Sequence, residues 1–264
     1  MKTSTEKMVA EIDGSIGWIT INNPARHNAM SMEMYQALAE IVEAYQQDDA
    51  VRVIVLRGAG NKAFISGADI STFEKARASE EARQVWDATA ERSNKALYET
   101  PKPTIAMING YCMGGGVGLA MCCDLRIASD KSRFAVPAAK LGVGYRAHGI
   151  RKLMSAVNPA FVKEIFYTAR QFSAEEAVAM GWVNRVLPEE QLEGYVREYA
   201  GTIAANAPLT IRAVKATVQE LLKDAEERDL EWSEGLVSTC FTSEDYVEGR
   251  RAFMEKRPPQ FRGR

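Results

Sequence analysis

The chain has 264 residues, 46% of them hydrophobic and 26% charged, with a formal net charge of −2. Those values describe an ordinary soluble globular protein with one large core, or a core plus a subdomain. They exclude a general nucleic-acid binder, and no apolar run approaches the roughly 18 residues of a membrane span. The opening "MKTSTEKMVAEIDG" lacks the apolar centre of a secretion signal, so the expected compartment is the cytoplasm, with no membrane partner. Cys112, Cys122, Cys123 and Cys240 have no metal-ligand spacing, and the histidines, His27 and His148, form no HExxH. No metal is expected, and adjacent Cys122 and Cys123 read as small core residues.

In chain order, "MVAEI", the turn Asp13-Gly14 and "IGWITI" predict a β-hairpin. After the loop "NNPARHNAM", Ser31 is placed to cap a helix whose Met34, Leu38, Ile41, Val42 and Tyr45 keep the helical period. "VRVIVLRG" predicts a buried strand, and "GAGNKAFISGADI" a glycine-punctuated loop leading into a helix. A polar helix around "SEEARQVWDATAERSNKALYE" ends before Pro101 and Pro103. The strand "PTIAMIN", the glycine run "GYCMGGGVGLAMCCD" with a short helix, and the strand "DLRIAS" follow. From about residue 149 helices dominate. Ser173 and Glu176 form a capping box, a brief strand lies in "WVNRVL", and beyond Pro208 the chain reads as helical up to "RAFMEKRPPQFRGR". Strand, glycine loop and helix recur, which is the α/β pattern with ligands expected at the loops after the strands.

Gly114, Gly115, Gly116 and Gly118 fall within five positions. A P-loop would need Gly-Lys-Ser/Thr after them, and Val117-Gly118-Leu119 stands there. A GxGxxG would need glycine at Leu119 or Met121. Neither nucleotide motif is present. Two uses remain open: close helix–strand packing, or bare backbone N–H groups offered to an anionic oxygen. "FISGADI" repeats the arrangement, with Gly67 at the turn and the Ala68 amide opening the next helix. Two such amides converging on one oxygen would form an oxyanion hole.

The segments "NNPARHNAMS", "KAFISGADI", "PKPTIAMINGYCMGGGVGLAMCCDLRIAS", "FAVPAAKLGVGY", "SAEEAVAMGWVNRVLP" and "FMEKRPPQF" together resemble the enoyl-CoA hydratase/isomerase, or crotonase, superfamily over nearly the whole chain. The resemblance implies an α/β fold: a spiral of ββα units over about 1–200 with the acyl-CoA site, and a helical subdomain over 201–264 that assembles trimers, often paired into hexamers. It implies an acyl-CoA thioester whose oxygen is held by the amides of Ala68 and Gly115. No separate cofactor is implied, coenzyme A being part of the substrate. By the same resemblance Arg26 and Lys256 meet CoA, while Ala63, Ser66, Asp69 and Ile70 line the adenine and pantetheine path.

Hydratases of this family carry one glutamate in a GGGxE pattern and a second in PExxLG, their general acid/base pair. The corresponding positions here are Gly118 and Ala138, and isomerases reuse the second. One explanation is an enolate made without abstracting a carbon-bound proton, as in decarboxylation of a malonyl-type CoA. "LGVGYRAHGI" resembles the LGVxY of the methylmalonyl-CoA decarboxylase branch, with tyrosine at Tyr145, although that branch has histidine at the Ala68 position. Hydration or hydrolysis by Tyr145, Arg146 or His148 is a second expectation, and a catalytically silent acyl-CoA-binding subunit a third.

Overall fold

The structure, a computed structural model, describes residues 3–69 and 79–264. Its first elements are strands β1 (Met8–Asp13) and β2 (Ile16–Ile21), helix α1 (Met32–Gln47), and strands β3 (Val53–Gly58) and β4 (Ala63–Ile65). Next come α2 (Glu80–Glu99), β5 (Thr104–Ile108), β6 (Tyr111–Met113), α3 (Gly115–Ala120), β7 (Leu125–Ser129), β8 (Arg133–Ala135) and α4 (Ala138–Leu141). The second half holds α5 (Ala147–Met154), α6 (Pro159–Thr168), β9 (Phe172–Ser173), α7 (Ala174–Ala179), β10 (Arg185–Leu187) and α8 (Glu189–Ala204). Helices α9 (Pro208–Leu221), α10 (Leu230–Thr242) and α11 (Glu244–Glu255) complete the chain.

The strands form a six-stranded sheet, β1-β2-β3-β5-β7-β10, and a four-stranded one, β4-β6-β8-β9. The predicted hairpin is the antiparallel β1–β2 pair, and β2, β3, β5, β7 and β10 run parallel. Alternation along β3 and β5 explains their unbroken apolar runs. Val53, Val55, Ile105 and Met107 pack on Leu192, Val196 and Ala200 of α8. Ile54, Leu56, Ala106 and Ile108 face the main core with α1. A strand buried on both faces has no polar side to show.

The α1 residues named from periodicity, Met34, Leu38, Ile41, Val42 and Tyr45, are all buried. Ser31 occupies the N-cap position, but its hydroxyl makes no capping bond to the backbone and lies 3.4 Å from Glu33 Oε1. The Ser173–Glu176 capping box is present in both directions. The expected division at 200/201 falls within the last turn of α8. Beyond it, Lys215 Nζ reaches Asp124 at 2.9 Å and Arg52 donates to the carbonyls of Ala204 and Phe261, tying the helical end to the sheet.

Candidate functional site

The second sheet is where the two glycine segments meet. The loop before α1 contains consecutive left-handed residues, His27 (φ 50°) and Asn28 (φ 56°). The buried Asn28 amide donates to the carbonyls of Ala59 (3.0 Å) and Ala63 (2.7 Å), and its oxygen accepts from the Asn23 N–H. This pins the loop to β4. Further along, Ser66 N–H donates to His27 O and Ser66 Oγ to Arg26 O. A one-residue parallel bridge then joins Met30 to Ala68: Met30 N–H donates to Gly67 O, and Asp69 N–H to Met30 O, each at 2.9 Å. In a parallel ladder those bonds use the groups flanking Ala68, so the N–H of Ala68 itself points to the other side. Gly67, at φ +119°, makes the turn that a side chain would strain. The helix expected to open at Ala68 falls on residues outside the described ones.

On that other side lies the glycine run, and its members do different things. Gly114 turns the chain at φ +51° and donates to Ala135 O of β8 at 2.8 Å. Gly116 is a packing glycine: a Cβ there would sit 2.5 Å from Ile65 O and 2.7 Å from Ile65 Cβ on β4. Gly115 faces the site, and a Cβ on it would lie 3.2 Å from Tyr35 Oη and 3.9 Å from Ala68 N. Gly118 faces open space. The packing use left open by the sequence is therefore found at Gly116, while Gly115 keeps an open face. Among the described residues neither the Ala68 N–H nor the Gly115 N–H donates to a protein acceptor. Both residues are half-buried. Two unpaired amides beside one small space can receive a ligand oxygen.

Around that space, Ala138 is buried at the first turn of α4, behind Pro137. The Tyr145 ring packs edge-on against Phe166 at 4.8 Å while the residue stays 37% exposed, and partial desolvation pushes its phenol above the ordinary value. Tyr145 also acts electrostatically on Tyr35, which places the two phenols in one neighbourhood. Arg146 pairs instead with Asp87 of α2 at 2.8 Å. His148 is exposed on the first turn of α5, and none of its described contacts reaches the two amides. Burial pushes the thiols of Cys112, Cys122 and Cys123 up, with Lys152 opposing the effect at Cys122, so they are weak nucleophiles.

The expected CoA residues divide. Arg26, Ala63, Ser66 and Asp69 are brought together by the loop, β4 and bridge contacts just described; Ala63 and Asp69 are buried, and the Arg26 side chain is exposed. Lys256 caps α11 at φ +54° with its side chain exposed, and no described contact joins it to that group. Ile70 lies outside the described residues. Tyr35 was missed by the sequence reading. On helical period alone it is one more apolar-face residue, and only the fold brings its hydroxyl to Gly115.

Residues 11–264 match the enoyl-CoA hydratase/isomerase family, and the chain belongs to it. A crotonyl-CoA hydratase of Syntrophomonas wolfei is 33% identical over 256 residues, 97% of this chain and 98% of that protein. A carnitinyl-CoA dehydratase of Proteus mirabilis is 34% identical over 260 residues, covering 95% and 96%. A crystal structure described as an enoyl-CoA hydratase/carnithine racemase from Magnetospirillum magneticum superposes with a TM-score of 0.94 at 35% identity, covering 99% of this chain and 97% of that one. The fold is thus the crotonase fold expected from the sequence, and the chain is an acyl-CoA-processing enzyme of this family.

Proposed function

We propose that the enzyme seats an acyl-CoA thioester with its oxygen between the N–H groups of Ala68 and Gly115, and stabilises the enolate formed there. The observation that carries this reading is the pair of unpaired amides converging on the space beside Gly115. Donors fixed in place before the reaction favour charge that develops in the transition state. Arg26, Ala63, Ser66 and Asp69 would line the CoA side, with Lys256 as a further cation for its phosphates.

The reaction we infer is decarboxylation of a malonyl-type CoA, because Gly118 and Ala138 stand where hydratases of the family carry their glutamates. The bond from the α-carbon to the carboxylate breaks, its electron pair moves onto the thioester oxygen, and carbon dioxide leaves. The enolate carbon then takes a proton from water or from His148. Tyr145, its phenol raised above an ordinary value that already keeps the proton at working pH, would orient the departing carboxylate by a hydrogen bond. Hydration or dehydration of an α,β-unsaturated thioester is the second reading, favoured by the hydratase and dehydratase names of the relatives.

A panel of malonyl-type and α,β-unsaturated acyl-CoAs, followed by mass spectrometry, separates the two. We expect turnover of a malonyl-type substrate to exceed hydration of crotonyl-CoA, with Tyr145→Phe slowing the former. Ala68→Pro deletes one oxyanion N–H and Gly115→Val crowds the oxygen's seat; each, checked for native circular dichroism, should lower kcat about a hundredfold. Brisk hydration of crotonyl-CoA with every malonyl-type substrate untouched would favour the second reading. Absence of any turnover would leave an acyl-CoA binder.

A further inference from the structure

Helix α1 buries two tyrosines, and they are treated differently. The Tyr45 hydroxyl lies 3.0 Å from Glu11 O and 3.1 Å from Trp18 O, as a buried phenol should. Tyr35 is 5% exposed, its ring set edge-to-face on Trp86 of α2 at 5.9 Å and 80°. Its hydroxyl makes no hydrogen bond with any described residue. Unlike Trp18 Nε1 and Ser93 Oγ, which are sealed in without a partner, this oxygen keeps an open side, whereas a phenylalanine would pack against Trp86 with no polar atom to place there.

The hydroxyl has a direction. It comes within 3.2 Å of the point where a Gly115 side chain would begin, and the Ala68 nitrogen is 3.9 Å from the same point. Two amide donors and one phenol therefore border a single small space, and none of the three has a protein acceptor among the described residues. We propose that the Tyr35 hydroxyl is a third hydrogen-bond donor to the thioester oxygen, acting with the Ala68 and Gly115 amides. This rests on the reading in which those amides receive that oxygen.

A donor must keep its proton while negative charge builds beside it. Burial raises the Tyr35 phenol far above its ordinary value of 10, and Tyr145 and Cys122 push in the same direction. The group therefore stays protonated at any working pH and does not serve as a base. A donor of this kind acts on kcat more than on KM, because its bond strengthens as the carbonyl becomes an enolate.

The test uses Tyr35→Phe, which keeps the ring and its contact with Trp86. Acetoacetyl-CoA serves as the probe, since its enolate absorbs in the near ultraviolet, and butyryl-CoA as a thioester that does not enolise readily. In the wild type we expect bound acetoacetyl-CoA to show the enolate band. Tyr35→Phe should cut the ratio of bound enolate to bound keto form about tenfold, with kcat reduced similarly. Its KM and butyryl-CoA affinity should stay within about twofold. A merely structural tyrosine would move butyryl-CoA binding and melting temperature together, and that result would overturn the proposal. An enolate band lost in Ala68→Pro but intact in Tyr35→Phe would overturn the role of Tyr35 alone. No band in the wild type would overturn the amide reading as well.

Discussion

Gly116 and Gly118 are two positions apart on α3 and should respond in opposite ways to the same methyl group. At Gly116 the added carbon meets the backbone oxygen of Ile65 at 2.5 Å, a strand atom that cannot turn aside. At Gly118 it meets nothing within 4 Å. Gly116→Ala should therefore destabilise by about 1–3 kcal/mol, the usual range for an overpacked core. Gly118→Ala should be neutral or add up to about 1 kcal/mol through helix propensity. Chemical denaturation of the two variants checks this, and equal effects would show that Ile65 does not set the spacing. The sequence marked the glycines but not which did what, because one motif holds a turn, a packing contact and an open face at once. Ala68 and Gly115 were legible as paired loop signals. The approach of Tyr35 to Gly115 was not, since it depends on a crossing of α1, β4 and α3 that no local window contains.

The long elements were legible because both of their periodicities are enforced by burial. The second sheet was not. Strands β4, β6 and β8 have three residues each, too few for alternation to register, and they exist because the crossovers lay them side by side. The helical run expected up to "RAFMEKRPPQFRGR" ends inside that segment, at Glu255, and the tail folds back over the last helix. Glu248 holds the tail: its carboxylate meets Arg257 at 2.6 Å and Arg251 at 2.5 Å, and accepts from the Gln260 N–H at 2.9 Å. Asp245 accepts from the N–H groups of Arg262 and Gly263. The contacts of Arg257, then Arg251, then Gln260 N–H hold the Glu248 carboxyl well below the usual carboxylate range. A depressed carboxyl contributes stability above its unfolded value, near 4.3, and loses it as pH falls toward the folded value. Hydrogen-exchange protection over residues 257–264, relative to the intrinsic rate at each pH, should thus be high at neutral pH and fall below about pH 4. Glu248→Gln should exchange faster at pH 7 and show much less change on acidification. A tail whose protection in the wild type ignores pH would show that Glu248 does not hold it.

At the scale of the whole molecule, α9 presents its faces the wrong way round for a lone subunit. The residues it buries are Ala213, Ala216 and Glu220. Val214, Val218 and Leu221 stand 59%, 51% and 52% exposed. On α11, Phe253 and Met254 are 82% and 80% exposed. Between α9, α10 and α11, Val214, Val218, Phe253 and Met254, with Phe241 and Tyr246, line a groove of about 1070 Å³. Small residues inward and large apolar ones outward describe a helix that docks closely on its own core and keeps its main hydrophobic face for something else. A second copy of the same chain is the simplest cover, because closed symmetry lets one such face satisfy another. We therefore predict a homotrimer or a dimer of trimers, in which each subunit folds on its own sheets and the helical ends are joined. Light scattering at micromolar concentration should give a mass of three or six chains. Val218→Glu combined with Phe253→Glu should lower it, since a charge at each position would lose its hydration in a dry interface. The sheets carry none of these residues, so the variant should keep native circular dichroism even as it dissociates. A wild type that scatters as a single chain, or a double variant that keeps its full mass, would show that this face is not where the subunits meet.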